Sequence, residues 1–156
     1  MAKFRQGNVV LTSSQDLKKD GDTLTLNPTL DSDHSANGDI VPMTVDSTAN
    51  SVFASALYAN SDGELDLADA SSAGTTPCIA MALEAGTGSK KVLMKGFVRD
   101  DTWDWTPGGF VYLSTTAGAF TQTAPSGSGD QVQIVGIATH ADRMFFNPDY
   151  TTAEIA

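Results

Sequence analysis

Residues 110–123 read FVYLSTTAGAFTQT, and residues 56–67 read ALYANSDGELDL. In both stretches a short apolar run that contains a tyrosine leads through a glycine turn to a second apolar position. Runs of aromatic and β-branched residues bounded by Gly, Asp, Asn and Ser are typical of strands, and glycine supplies the positive φ that tight hairpin turns demand. Each stretch therefore predicts a β-hairpin.

The two hairpins belong to a longer internal repeat. Each is followed by a polar stretch and then by an apolar strand, Ile79–Ala82 in the first copy and Val135–Ala138 in the second. A further apolar strand ends each copy, at Val92–Met94 and at Met144–Phe146. Single-residue loop insertions align the copies, which predicts a duplicated unit that closes one barrel over a shared core. A chance likeness between two generic hairpins is the alternative.

The rest of the sequence also favours β-structure. Sixteen of the 19 acids are Asp, which prefers turns and caps to helix interiors. Eleven short strands are predicted, at Asn8–Thr12, Thr23–Leu26, Ile40–Val45, Phe53–Tyr58, Leu65–Leu67, Cys78–Leu83, Lys91–Arg99, Phe110–Ser114, Ala119–Thr123, Gln131–His140 and Arg143–Asn147. Short strands at this spacing predict an all-β fold, a small barrel or a tulip-like sandwich.

The repeat also sets the predicted domain limits. It places the compact domain at residues 38–150, after an extended amino-terminal arm at 1–37 and before a short tail at 151–156. The predicted core consists of Phe53, Leu57, Ile79, Met81, Leu83, Val92, Met94, Val111, Leu113, Val135, Ile137 and Phe145.

Charge and composition exclude several functional classes. The formal net charge of −10 disfavours binding to nucleic acid and to an anionic membrane. A single cysteine excludes an intrachain disulfide, and two histidines offer little for a zinc site. The sequence has no run of signal-peptide or membrane-span length. We therefore expect a protein made in a cytoplasm, with no cofactor.

The amino-terminal arm differs in charge from the body. Its first nineteen residues hold four bases and one acid, whereas residues 20–89 hold eleven acids and no Lys or Arg. Such a segment is expected to order on another surface, such as a partner's sheet edge. The predicted partner-binding residues are Lys3, Phe4, Arg5, Val9, Leu11, Lys18 and Lys19. The alternative is a first strand that folds back on its own domain.

Candidate chemical sites are few, and we predict no catalytic and no metal-binding residues. Cys78 lies in an apolar run without the basic neighbours that a thiolate needs. The acidic stretches at residues 31–34 and 60–66 could gather oxygens around Ca²⁺, but the second lacks EF-hand spacing and its alternating acids are typical of the exposed face of an edge strand. Trp103 and Trp105 share one face if their segment is extended. They are candidates for a core plug, for an interface with another subunit or for a glycan platform.

The carboxy-terminal half resembles a module of small virion structural proteins of tailed bacteriophages. The resemblance rests on WTPGGFVYLSTTAGAFTQTAPSGSGD and on VGIATHAD followed by FFNPD. It implies a non-enzymatic component of the virion surface, of a kind that usually assembles as a homotrimer, more specifically than it implies a place on the virion. We favour a head decoration (cement) protein on the outer surface of the head that binds the major capsid protein. The alternatives are a tail or neck fibre module that recognises host glycan and, least favoured, an enzyme that degrades envelope polysaccharide.

Overall fold

The computed structural model describes residues 17–20 and 23–156, with side chains described from residue 25 onward. This part of the chain contains thirteen strands and one 3₁₀ turn at Ala73–Thr75. The strands are β1 (Leu17–Asp20), β2 (Thr23–Leu26), β3 (Ser35–Val45), β4 (Ala56–Ala59), β5 (Leu65–Leu67), β6 (Ala80–Ala82), β7 (Gly88–Arg99), β8 (Phe110–Leu113), β9 (Phe120–Thr121), β10 (Gln131–Val132), β11 (Ile134–His140), β12 (Arg143–Phe146) and β13 (Ala153–Glu154). The all-β prediction is confirmed. Among the described residues no helix is long and apolar enough to span a membrane.

Nine of these strands form one mixed sheet in the order β3-β5-β4-β6-β7-β12-β11-β8-β9. β3 also pairs along its whole length with β7, so the first five strands of this order form a ring. A single parallel residue pair, Val45 with Leu65, joins β3 to β5. The other four strands extend from β7 as an open wing. The domain is therefore sandwich-like rather than a barrel.

The strand register reproduces the predicted repeat. We name β4, β5, β6 and β7 the first unit, and β8, β9, β11 and β12 the second unit. In both units the first strand pairs antiparallel with the second and the third, and the third pairs with the fourth. Four cross-strand pairs of the first unit each match one of the second: Ala56–Met81 matches Phe110–Ile137, Leu57–Ala80 matches Val111–Gly136, Tyr58–Asp66 matches Tyr112–Thr121, and Met81–Leu93 matches Ile137–Phe145. The duplication thus extends to the hydrogen-bond register.

Two apolar clusters stabilise this arrangement. The ring core fills the five-stranded ring and consists of Val45, Ala49, Leu57, Leu65, Ala80, Ala82 and Val92. The interunit core joins the two units and consists of Ala54, Ala56, Ala68, Ala70, Cys78, Met81, Leu93, Val98, Val111, Leu113, Val135, Ala138, Met144 and Phe146. The first unit is therefore buried on both faces, as the strands of a covered sheet are.

Six of the predicted core residues are fully buried: Leu57, Met81, Val92, Val111, Leu113 and Val135. Phe53, Ile79, Leu83, Met94 and Phe145 are partly buried. Ile137 was predicted to be buried, but it is 43% exposed. The prediction was wrong there because β11 turns this side chain to the outer face, while Val135 and Ala138 point inward.

The amino-terminal boundary predicted between residues 37 and 38 falls inside β3. This strand pairs with β7 from Ser35 onward, so its first three residues share the ladder of the domain. Upstream, Leu30 is buried, and the Asn37 side-chain amide donates to the Asn27 carbonyl at 2.6 Å. The predicted tail at 151–156 contains β13, which pairs with β10.

Candidate functional site

A row of four apolar side chains crosses the outer face of the second unit and of the adjacent strand β7; two of the four are exposed and two are partly buried. The row consists of Phe110, Ile137, Phe145 and Phe97, on the adjacent strands β8, β11, β12 and β7. Each member is the direct cross-strand neighbour of the next, which places all four on one face. Phe110 is 51% exposed and Ile137 is 43% exposed, while the rings of Phe97 and Phe145 lie 4.9 Å apart. We call this set the apolar row.

The row faces outward because the opposite face of the same strands is buried in the interunit core. Val98, Val111 and Met144 alternate with row members along β7, β8 and β12, and all three are fully buried in the interunit core. Since successive strand residues point to opposite faces, burying these residues turns the row outward. Apolar side chains on both faces are typical of a strand that is covered on both sides.

The first unit carries an equivalent row, and three of its four positions are covered. Ala56, Met81 and Leu93 occupy the register positions of Phe110, Ile137 and Phe145, and all three are fully buried in the interunit core. The fourth position is held by Ile40 of β3, which pairs with Leu93 as Phe97 pairs with Phe145, but Ile40 is 38% exposed. At the other three positions the first unit is packed, whereas Phe110 and Ile137 of the second unit are exposed.

Charged side chains lie beside the row on β3 and β7. The Lys95 ammonium lies 6.0 Å from the centre of the Phe145 ring, and Asp39 is the cross-strand neighbour of Lys95. A cation over an aromatic face is attracted by the negative face of the ring. The face therefore combines a wide apolar centre with charges of both signs at its β3 edge.

A network of ion pairs fixes the end of the row-bearing strands. The Arg99 guanidinium contacts Asp101 at 2.6 Å and Asp142 at 3.3 Å, and it donates to the Leu30 carbonyl at 3.0 Å. Burial raises the pKa of Asp142, but the hydrogen bond with His140 and the positive charges of Arg143, Arg99 and His140 outweigh it and leave the pKa below its usual range. The network ties residues 30–33 to the sheet.

One group could offer ligands to a cation. A carboxylate oxygen of Asp33, a ring nitrogen of His34 and a carboxylate oxygen of Asp100 lie within 4.8 Å of one another. Other contacts occupy the group: His34 stacks on Phe53 at 4.6 Å, and Asp33 accepts the Asp101 backbone N–H at 2.8 Å, which lowers the pKa of Asp33. Sequence reasoning noted residues 31–34 but missed Asp100, because only the fold brings it near.

The acids near residue 60 form a turn instead of a cation site. The Asn60 side-chain oxygen accepts the backbone N–H groups of Asp62 and Glu64, both at 3.0 Å, and its amide donates to Asp46. Hydrogen bonds from Thr48 lower the pKa of Asp46. These contacts use the side chains to close loops.

Cys78 is fully buried, and burial raises the pKa of its thiol to about 12. Its backbone N–H donates to the side-chain oxygen of Gln133, and its carbonyl accepts from the Gln133 amide, each at 2.8 Å. The same Gln133 amide also donates to the Asp149 carbonyl at 2.6 Å. Cys78 is therefore part of a polar clamp between the two units, and its protonated thiol is a poor nucleophile.

The two tryptophans pack on the interunit core. Their ring centres are 5.3 Å apart with planes tilted by 49°, and both residues are half-buried. The Trp105 indole N–H is buried without a hydrogen-bond partner among the described residues. The pair covers one edge of the core and leaves part of each ring open.

Most of the predicted arm residues lie outside the described residues, namely Lys3, Phe4, Arg5, Val9 and Leu11. Lys18 and Lys19 lie on β1, which pairs with β2 in a separate two-stranded sheet. The chain matches no known family, no curated protein and no solved structure.

Proposed function

We propose that this chain is a non-enzymatic structural protein of a tailed-phage virion. Its most specific role is that of a head decoration protein, which binds the major capsid protein and bridges capsomers on the outer surface. The mechanism is mechanical, because added buried area between neighbouring subunits opposes the pressure of packaged DNA.

The apolar row is the observation that supports an assembly role. Exposed apolar patches of this kind are typical of protein–protein contact sites. The row lies on hydrogen-bonded strands that are backed by a buried core, so it is held in shape before a partner arrives. The resemblance of the carboxy-terminal part of the chain to phage virion modules supports a virion as the assembly.

The described polar groups are suited to structure rather than to catalysis. The pKa of Asp33, of Asp46 and of Asp142 is lowered by hydrogen bonds and neighbouring charges, and that of the Cys78 thiol is raised by burial. A general acid near neutral pH needs a raised carboxyl pKa, and a thiol nucleophile needs a lowered one. These four groups are shifted in the opposite directions.

The arm supplies the proposed contact with the capsid. Its four bases at residues 3, 5, 18 and 19 contrast with an acidic body, so ion pairs with acidic capsid groups would steer and register docking. The body keeps its negative charge toward solvent and repels other virions.

Quantitative mass spectrometry of purified virions tests the proposal. A decoration protein is expected at a copy number comparable to that of the major capsid protein. Copies matching only a tail or collar would favour the fibre alternative, and absence from virions would reject a virion role.

Reconstitution tests the docking step separately. Heads that lack the protein are mixed with the full chain or with a variant lacking residues 1–16 and then sedimented. The full chain is expected to sediment with the heads and to raise the temperature at which they release DNA, whereas the truncated protein stays in solution. Equal binding by both proteins would exclude the first sixteen residues as the anchor.

A further inference from the structure

The apolar row is the largest concentration of exposed apolar side chains in the described part of the chain. Eight large hydrophobic residues are exposed in the described part of the chain. Three of them, Phe110, Ile134 and Ile137, lie on this one face. Ile134 pairs with Tyr112, which extends the apolar surface along β8 and β11. The remaining five lie elsewhere: Leu26, Ile40, Val41, Val52 and Tyr150.

We propose that the apolar row is a self-association face, and that it packs against the same row of a second copy of this chain. The first argument is the internal repeat. In the first unit the equivalent positions Ala56, Met81 and Leu93 are fully buried, and they share the interunit core with Val111, Val135 and Met144 of the second unit. Within the repeat this face of the unit is therefore already used for packing, against the inner face of the other unit.

The choice of side chains supports the same conclusion. Where the first unit has alanine, methionine and leucine, the open face of the second unit has Phe110, Ile137 and Phe145. A face meant for water would carry polar residues at these alternating positions. Here all three residues are apolar and two of them are phenylalanine, and aromatic residues are enriched where proteins meet.

Charge favours another copy of this face over other partners. The chain has a net charge of −10, so two copies repel each other through most surfaces. Around the row, however, Lys95 lies opposite Asp39, and Arg99 and Arg143 are paired with acids. Since the face is close to neutral, two such faces can approach without like-charge repulsion, and Lys95 can meet Asp39 of the second copy.

The contact is isologous, with the row of one copy on the row of the other. A two-fold contact uses the same patch on both partners, and the described surface offers no comparable apolar face to complement the row. This contact alone forms dimers, so the trimer expected from the resemblance would need a second, heterologous contact. The inference rests on the self-association included in the proposed function but not on any location in the virion.

Sedimentation velocity over a concentration series of the purified chain tests the proposal. The wild-type chain is expected to shift from monomer to dimer, and Ile137→Asp, at the centre of the row, to weaken association by at least about tenfold. The matched control is Val52→Asp, because Val52 is 57% exposed and lies outside the row; it should associate like the wild type. Circular dichroism and melting curves check that each variant is folded.

Cross-linking gives a second readout that does not depend on loss of function. Ile137→Cys is expected to form a disulfide-linked dimer on mild oxidation, whereas Val52→Cys should form no disulfide link between copies. A wild-type chain that remains monomeric at about 0.1 mM would overturn the proposal, because even a Kd of about 10⁻⁴ M would show partial association there. A trimer that Ile137→Asp leaves intact would also overturn it. If the monomeric protein still binds heads, the self-association face fails while the proposed function stands.

Discussion

The two units share one strand order and one register, yet only the first closes into a ring. In the first unit β3 pairs with β7 and reaches β5 at Val45 and Leu65. In the second unit β7 takes the corresponding place beside β12, but it ends at Arg99, and no strand of the described residues reaches β9 from that side. The closed unit therefore has an interior of its own. The open unit has to use its inner face to cover the first unit, which leaves its outer face bare.

This difference shows how a duplicated element acquires two roles. Burial on both faces makes the first unit a scaffold, since its central strand residues Ala56, Leu57, Met81 and Ala82 have no exposed surface. The second unit contributes half of the interunit core and presents the apolar row. One copy stabilises the fold, and the other becomes available for contact with a partner.

The largest loss of unfolding free energy is expected from a substitution at the point where the paired strands β3 and β7 pass from the ring into the wing. Gly38 and Gly96 face each other there with φ of +143° and +156°, and a Cβ on Gly96 would lie 2.0 Å from the Asn37 carbonyl oxygen. Gly96→Ala forces the two backbones apart, so we expect it to cost more than about 4 kcal/mol of unfolding free energy. Urea denaturation monitored by circular dichroism measures the loss.

Gly63→Ala is the matched control for this substitution. Gly63 also has a positive φ, +78°, but a Cβ there would have no atom within 4 Å. Gly63→Ala therefore strains only the backbone conformation, and we expect it to lower the unfolding free energy by about 1–2 kcal/mol. Equal destabilisation by both variants would show that the close approach of β3 and β7 does not matter for the fold.

A second test uses one repeat position in both units. Met81 is fully buried and Ile137 is 43% exposed, although the two residues hold the same place in the register. Met81→Ala is expected to destabilise the fold by about 2–5 kcal/mol, as truncation of core side chains does. Ile137→Ala, measured on dilute monomer, should change stability by no more than about 0.5 kcal/mol. Similar losses at both positions would contradict the exposed placement of the row.

The sequence predicted the repeat well because strand pattern and turn glycines are local. It could not decide which face of an apolar strand is buried, because the run Met144-Phe145-Phe146 alternates equally well in either phase. Phe145 was therefore assigned to the core and Met144 was missed, and Ile137 was misplaced in the same way. Ring closure at Val45 and Leu65 and the meeting of Asp33 with Asp100 depend on contacts between distant residues, which no local pattern contains.

A third prediction tests the polar clamp between the units. Gln133 is buried at 1% exposure and bonds to both backbone groups of Cys78 and to the Asp149 carbonyl. Gln133→Leu keeps the size but leaves those groups unsatisfied, which costs about 1–3 kcal/mol for a buried hydrogen-bonding group. Because Cys78 is fully buried, we expect a thiol reagent to label its thiol slowly in the wild type and faster in this variant. Unchanged labelling and stability would mean that the clamp does not hold the units together.

The smallest change in stability is expected from substitution of Asp142, whose ion pairs hold the end of the wing. Because its pKa is lowered in the folded state, its contribution is fully present above the unfolded pKa of about 3.9 and is lost as the pH falls through the lower folded value. Asp142→Asn should therefore destabilise the protein near neutral pH by less than about 1 kcal/mol, the usual range for surface ion pairs. The difference from wild type should vanish in acid and shrink in high salt, while the exposed Asp104→Asn changes nothing. Thermal melts between pH 7 and about pH 3 check this, and a difference that grew toward acid pH would show that the carboxylate is not stabilised by its partners.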